Sequence, residues 1–237
     1  MITLYQFATS PFTEKVRRAL NYKGLAFDVH EVDRAAVAGG KYSHVSASGK
    51  FPALEHDGKT VLDSTDILEY LDRTFLERPL LPTDPRERAM AHIIEDWADE
   101  SLYFYEMTMR LAWPHNLEAA LDEFARGMPG IPRDQLKTRI MEGVGALTRA
   151  QGLGRKPREQ VVADAERHFK SLDSLLEGRE WLVGDRVSSA DLAVISQVNA
   201  LLYAEEGRAV LDRTRCVRPW LARVDAIAPI NSPELAA

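Results

Sequence analysis

Ile2 to Phe7 is a β-branched and aromatic run, and after Ala8-Thr9-Ser10-Pro11 the apolar residues Val16, Ala19 and Leu20 recur at helical spacing until Gly24. Strand, turn and helix are predicted in that order. Ser10 is placed as N-cap with Pro11 at the first helical position, and Gly24 suits the helix stop. Phe27 to Val32 reads as a second strand. A helix-length connection between two strands implies a right-handed crossover and parallel pairing. Arg34 to Ser48 is rich in Ala, Gly and Ser with weak periodicity, an irregular segment with room for one short helix. From Ser48 to Ile67 the pattern sharpens. Phe51-Pro52 opens a strand, Asp57-Gly58 is a hairpin dipeptide between two apolar runs, and Asp63-Ser64 begins a helix striped by Ile67, Leu68, Leu71 and Phe75. The first half is therefore β-α-β followed by β-β-α.

Glu77 to Pro85 holds three prolines, which continue neither helix nor ladder, and is predicted as a linker. Everything after it reads helical. Met90, Ile94, Trp97, Phe104 and Leu111 keep a helical period from Arg86 to Trp113, a helix roughly 40 Å long. Pro114, Gly127, Pro129, Gly130 and Pro132 then predict a long loop or short helical pieces. Further helices carry Leu136, Ile140, Val144 and Leu147, and, from Pro157, Val161, Ala165, Phe169, Leu172 and Leu176. Trp181 to Val187 is a turn region. Ser188 and Asp191 have capping-box spacing before a helix with Leu192, Ile195, Val198 and Leu202, and a short helix surrounds Trp220 and Val224. The predicted organisation is an α/β domain over residues 1–76, a linker over 77–85 and an all-helical domain over 86–237.

The 237 residues, 45% hydrophobic and 28% charged, suffice for a sizeable core. A net charge of −6 without a dense Lys/Arg run argues against nucleic acid or an anionic membrane as main partner. Small molecules and proteins remain. Cys216 is the only cysteine, so no internal disulfide forms, and the six histidines lack metal-ligand spacing. No metal is expected. With no basic leader and no run of 18 apolar residues, a cytoplasmic protein is expected.

Candidate chemistry concentrates where elements begin. Extended backbone before Pro52 can pair with a peptide as one more strand, and the amides and hydroxyl at a Ser64 helix start can hold an anion. A ligand with a backbone-like amide and a carboxylate fits that stretch. As structural features alone, Pro52 is a strand-entry proline and Ser10 and Ser64 are N-caps.

Three motifs in order carry a family resemblance: Ser10-Pro11-Phe12 with Lys15-Val16-Arg17 after it; Gly49-Lys50-Phe51-Pro52-Ala53-Leu54 followed by Asp63-Ser64; and Ser188-x-x-Asp191 after Gly184-Asp185. Over nearly its whole length the chain resembles the soluble glutathione transferases, with a thioredoxin-like N-terminal domain and an all-α helical bundle after a linker. The resemblance implies a cis Pro52, Phe51 backbone pairing with the cysteinyl part of glutathione, Asp63 and Ser64 on its γ-glutamyl end, and Lys41 near its glycyl carboxylate. It implies that Ser10 stabilises the glutathione thiolate, with Thr9, Thr13 and Tyr5 as alternatives. An electrophile would bind against Tyr103, Tyr105, Met107, Arg110 and Trp113, while Phe104 and Leu111 pack the core. A homodimer is also implied.

Two departures qualify the likeness. Ser46-Ala47 stands where many of these transferases carry Asn-Pro, and Ala150 to Arg155 resembles the metaxin and failed-axon-connections branch. That second likeness implies an alternative, a binding or interaction module with weak or no catalysis. Thiol-disulfide exchange is disfavoured because serine occupies the turn where that chemistry needs cysteine.

Overall fold

A computed structural model describes residues 1–128 and 130–231 of the chain. β1 (Ile2–Gln6), α1 (Pro11–Lys23), β2 (Phe27–Glu31), α2 (Arg34–Ala38), β3 (Ala53–His56), β4 (Lys59–Leu62) and α3 (Ser64–Thr74) follow one another in the first half. The strands lie in the order β2-β1-β3-β4, with β1 parallel to β2 and antiparallel to β3, and β3 antiparallel to β4. This is the thioredoxin-like arrangement. Asp57 and Gly58 both have positive φ, 50° and 76°, the pair that matches a two-residue hairpin turn to right-twisted strands. Pro11 starts α1, and Gly24 ends it at φ 68° with its N–H on the Leu20 and Asn21 carbonyls.

The second half is helical. Its long helix over residues 85–112 comprises α4 (Pro85–Trp97), a π turn (Ala98–Leu102), α5 (Tyr103–Glu106) and a second π turn (Met107–Ala112). Each π turn holds extra backbone and rotates the residues beyond it, so one uniform apolar stripe does not run the full length. Met90, expected on that stripe, is exposed, whereas Ile94 and Leu102 are buried. α6 (Pro114–Arg126), one continuous helix, stands where a long loop or short helical pieces are predicted after Trp113. Proline at the first helical position leaves no intrahelical bond unmade, and Leu117, Ala120, Leu121 and Phe124 bury one face. Pro129, also read as a breaker, lies outside the described residues.

α7 (Arg133–Gln151), a short 3-10 turn (Leu153–Arg155), α8 (Arg158–Leu176), α9 (Ser189–Leu201), α10 (Glu205–Leu211) and α11 (Val217–Ile227) complete the order. Leu147, expected on the apolar stripe of α7, is exposed. α9 is buried along nearly its whole length and packs on α1 and α4. One hydrophobic cluster therefore runs from Leu4, Leu20 and Ile67 in the first half to Leu102, Phe169, Ile195 and Trp220 in the second.

Asp191 organises the start of α9. Its carboxylate accepts the Ser188 N–H and O–H at 2.9 Å each, the Leu182 N–H at 3.0 Å and the Trp220 indole N–H at 2.9 Å. All of these groups are buried, so removing the acceptor strands several donors away from water, each at about 1–3 kcal/mol. Asp191→Ala is expected to lose about 3 kcal/mol or more in urea unfolding; a loss below about 1 kcal/mol would contradict this account.

Candidate active site

Between the sheet domain and the long helix lies a cavity of about 810 Å³, with Ser10, Phe51, Pro52, Asp63 and Ser64 on one side and Tyr103, Met107 and Arg110 on the other. Each residue of the first wall sits where an element begins. Ser10 precedes Pro11, and its backbone N–H donates to the Phe7 carbonyl at 2.9 Å. Its hydroxyl makes no capping bond, so it stands uncommitted at the positive end of α1. The Phe51-Pro52 bond is cis. Gly49, at φ 69°, approaches Val37 so closely that a Cβ would lie 2.8 Å from Val37 Cγ1. Ser46 donates its hydroxyl to the Lys50 carbonyl at 2.9 Å, which holds the segment before Pro52.

Asp63 has φ 70° and accepts the Thr65 N–H at 2.9 Å. Asp63 is thus the N-cap of α3, and Ser64, read from the sequence as a possible cap, is its buried first residue. The left-handed turn at Asp63 redirects the chain from β4 into the helix, so Ser64 opens on the cavity with the first amides of α3.

Other expected residues stand elsewhere. Lys41 is exposed, with its ammonium 5.4 Å from the Tyr42 ring centroid, and Lys50 is the lysine on the cavity wall. Trp113 lies past the end of the second π turn, in extended conformation, stacked on His115 and covered by the Arg158 guanidinium at 4.5 Å. Tyr105 points to the opposite face of the long helix, its ring 5.1 Å from that of His168. Tyr103, Met107 and Arg110 share the cavity face because they are four and three residues apart. Of the alternatives to Ser10, Thr9 lines the cavity, Thr13 is buried inside α1, and Tyr5 donates its hydroxyl to Glu55 on the neighbouring strand. Phe104 and Leu111, expected in the core, pack there and also border the cavity.

The glutathione S-transferase N-terminal domain family model matches residues 4–79, and the glutathione S-transferase C-terminal domain model matches residues 154–232. The chain belongs to the glutathione S-transferase superfamily. Protein LigF from Sphingobium sp. strain NBRC 103272 / SYK-6 is 28% identical over 246 residues, covering 95% of this chain and 90% of LigF. The crystal structure of LigF, described as a beta-etherase, superposes with a TM-score of 0.73 at 26% identity, over 100% of this chain and 99% of that one. Glutathione S-transferase U6 from Arabidopsis thaliana is 34% identical, but over 39% of this chain and 42% of its own length. The match thus spans about two fifths of that plant relative.

Within this glutathione S-transferase fold, charged groups missed in the sequence shape the cavity. Lys15 on α1 is buried and donates to Glu95 at 2.6 Å and to Asp99. Burial pulls its ammonium pKa down, but the two carboxylates outweigh burial and hold it above the ordinary lysine value. Burial, together with neighbouring Glu95, pushes Asp99 up to about 6 against the pull of Lys15. Glu106 is fully buried against the cavity wall, with no hydrogen bond to either carboxylate oxygen. Burial pushes its pKa up to about 7, and Arg110, at 3.5 Å, offsets only part of that. Arg34 lies in the segment read as irregular; Asp33 caps α2 beside it and so aims it at Phe7 and Thr9. The chain reversal that brings Arg34 to Arg110 is tertiary.

Glu106 gives a signed pH dependence. Its folded-state pKa of about 7 exceeds the ordinary carboxylate value of 4.5, so the native state holds the extra proton between those values. Stability from this group is present below pH 4.5 and is lost as pH rises through 7. Between pH 6 and 8 the wild type is expected to lose about 1 kcal/mol more than Glu106→Gln in urea unfolding. Equal slopes for the two proteins would contradict the assignment.

Proposed function

We propose that the chain is a glutathione transferase that attaches the glutathione thiol to a small electrophile. The observation that carries this reading is the Ser10 hydroxyl, uncommitted at the start of α1 and opening on the same cavity as cis Phe51-Pro52 and Asp63-Ser64. Glutathione would lie as an extra strand along the Phe51 backbone, with its γ-glutamyl carboxylate on Ser64 and the first amides of α3 and its ammonium on Asp63. Lys50, rather than Lys41, offers the cation on that wall for the glycyl carboxylate.

The thiol loses its proton to solvent, and the Ser10 O–H with the α1 amides stabilises the thiolate. Sulfur then attacks an electrophile held against Tyr103, Met107 and Arg110, and the leaving group departs. LigF's description as a beta-etherase supports testing ethers among the first electrophiles. The relatives named as transferases do not favour the interaction-module alternative. Family likeness also supports a cytoplasmic homodimer, which light scattering tests as twice the chain mass.

A thiol pKa lowered by about two units corresponds to roughly 3 kcal/mol. Ser10→Ala is therefore expected to raise the thiol pKa of bound glutathione by about two units, read from thiolate absorbance, and to cut kcat/KM roughly 100-fold. An unchanged thiol pKa and unchanged turnover would remove Ser10 from this role.

A further inference from the structure

We infer that Arg34 and Arg110 form an anion subsite on the electrophile side of the cavity, selecting an aromatic second substrate that bears a carboxylate. The inference rests on the transferase reading for the word substrate, but the subsite is argued from the side chains themselves. Arg34 Nη2 donates to Thr9 Oγ1 at 3.0 Å, and Arg110 Nη2 donates to the Thr9 carbonyl at 3.3 Å. Two guanidinium groups from distant parts of the chain thus converge on the residue before Ser10.

Their charge is poorly balanced. Arg110 is buried and its Nε–H has no hydrogen-bond partner, although Glu106 lies 3.5 Å away. Glu106 accepts no hydrogen bond and, titrating near 7, carries only part of a charge at neutral pH. Arg34 is half-buried; burial pulls its pKa down to about 10, with Arg110 adding to that pull and Glu31 opposing it. The Glu31 carboxylate accepts from the Gln6 side chain and the Ala8 N–H, and Glu106 accepts from nothing, so neither guanidinium has a hydrogen-bonded carboxylate, and a buried charge is favourable only when paired. A carboxylate entering the cavity would supply the missing acceptor, in a forked geometry suited to guanidinium.

The surroundings suit an aromatic body. The Arg34 guanidinium lies 3.8 Å from the Phe7 ring centroid, and the Arg110 guanidinium lies 5.5 Å from that of Phe124. Tyr103 lines the same space. A flat ring can pack among these aromatic groups while its carboxylate meets the arginines. The carboxylates of glutathione do not compete for this place in the reading above, since Ser64 and Lys50 hold them on the opposite wall.

The test uses inert probes and one reactive one. Calorimetric titration compares 3,5-dinitrobenzoate with its uncharged methyl ester, in the full-length wild type and in Arg34→Gln and Arg110→Gln. Charge-assisted hydrogen bonds are each worth about 1.5–3 kcal/mol, so the wild type should bind the carboxylate at least roughly tenfold tighter than the ester, and each variant should lose most of that preference. Equal affinities in the wild type, or a preference that both variants retain, would overturn the subsite. The wild-type comparison decides even where a variant fails to fold. Turnover of 4-chloro-3,5-dinitrobenzoate is measured in parallel. Sulfur bonds to the ring carbon, the carbon–chlorine bond breaks, chloride leaves and the thiol proton passes to solvent. Carboxylate preference without turnover would support the subsite and contradict the transferase reading; turnover without preference would overturn the subsite alone.

Discussion

One buried ammonium ties the two halves of the molecule together. Lys15 on α1 meets Glu95 on α4 and Asp99 in the first π turn, and Thr65 on α3 donates its hydroxyl to Glu95 at 2.6 Å. Ser10 stands at the head of α1, Ser64 at the head of α3, and Tyr103 to Arg110 on the long helix, so the Lys15 cluster joins the elements that wall the cavity. Its value lies in geometry more than in net stability, because burying charges costs nearly what their attraction returns. Removing one partner is different, since it leaves the others uncompensated. Burial, with the second carboxylate of Glu95 beside it, raises the pKa of Asp99 against the pull of Lys15.

The two sides of the cavity differ in kind. On the sheet side, the cavity wall is built from backbone and element starts: the head of α1, the cis Phe51-Pro52 bond, and the left-handed Asp63 that presents α3. On the helical side it is built from side chains on a helix whose two π turns set which residues face inward. The first side suits one invariant peptide-like ligand. The second can vary at Tyr103, Met107 and Arg110 without disturbing the first.

What was legible in the sequence was local. Ser10-Pro11, Phe51-Pro52, Asp57-Gly58 and Ser188 with Asp191 each encode a turn or cap within four residues, and the fold follows from their order. Errors arose where the same residue type has two local meanings or where distance matters. Pro114 has the look of a breaker because proline both stops and starts helices, and the apolar face of α6 decides which. Trp113 was placed on the cleft by extending a helical period one residue past its end, where the backbone turns extended. Lys41 is the lysine the resemblance implies, yet Lys50 stands on the cavity wall, because the fold of residues 39–50 decides which lysine reaches it. Arg34, Glu106 and Asp99 acquire their chemistry first from burial, which no short stretch of sequence displays.

Calorimetric titration of glutathione into the wild type and into Ser64→Ala asks whether the Ser10, Phe51-Pro52 and Asp63-Ser64 wall binds glutathione. Saturable binding is expected in the wild type, with an affinity at least roughly tenfold weaker in the variant, the loss expected for a hydrogen bond to a charged group. No binding to the wild type, or equal affinity in both proteins, would contradict that expectation.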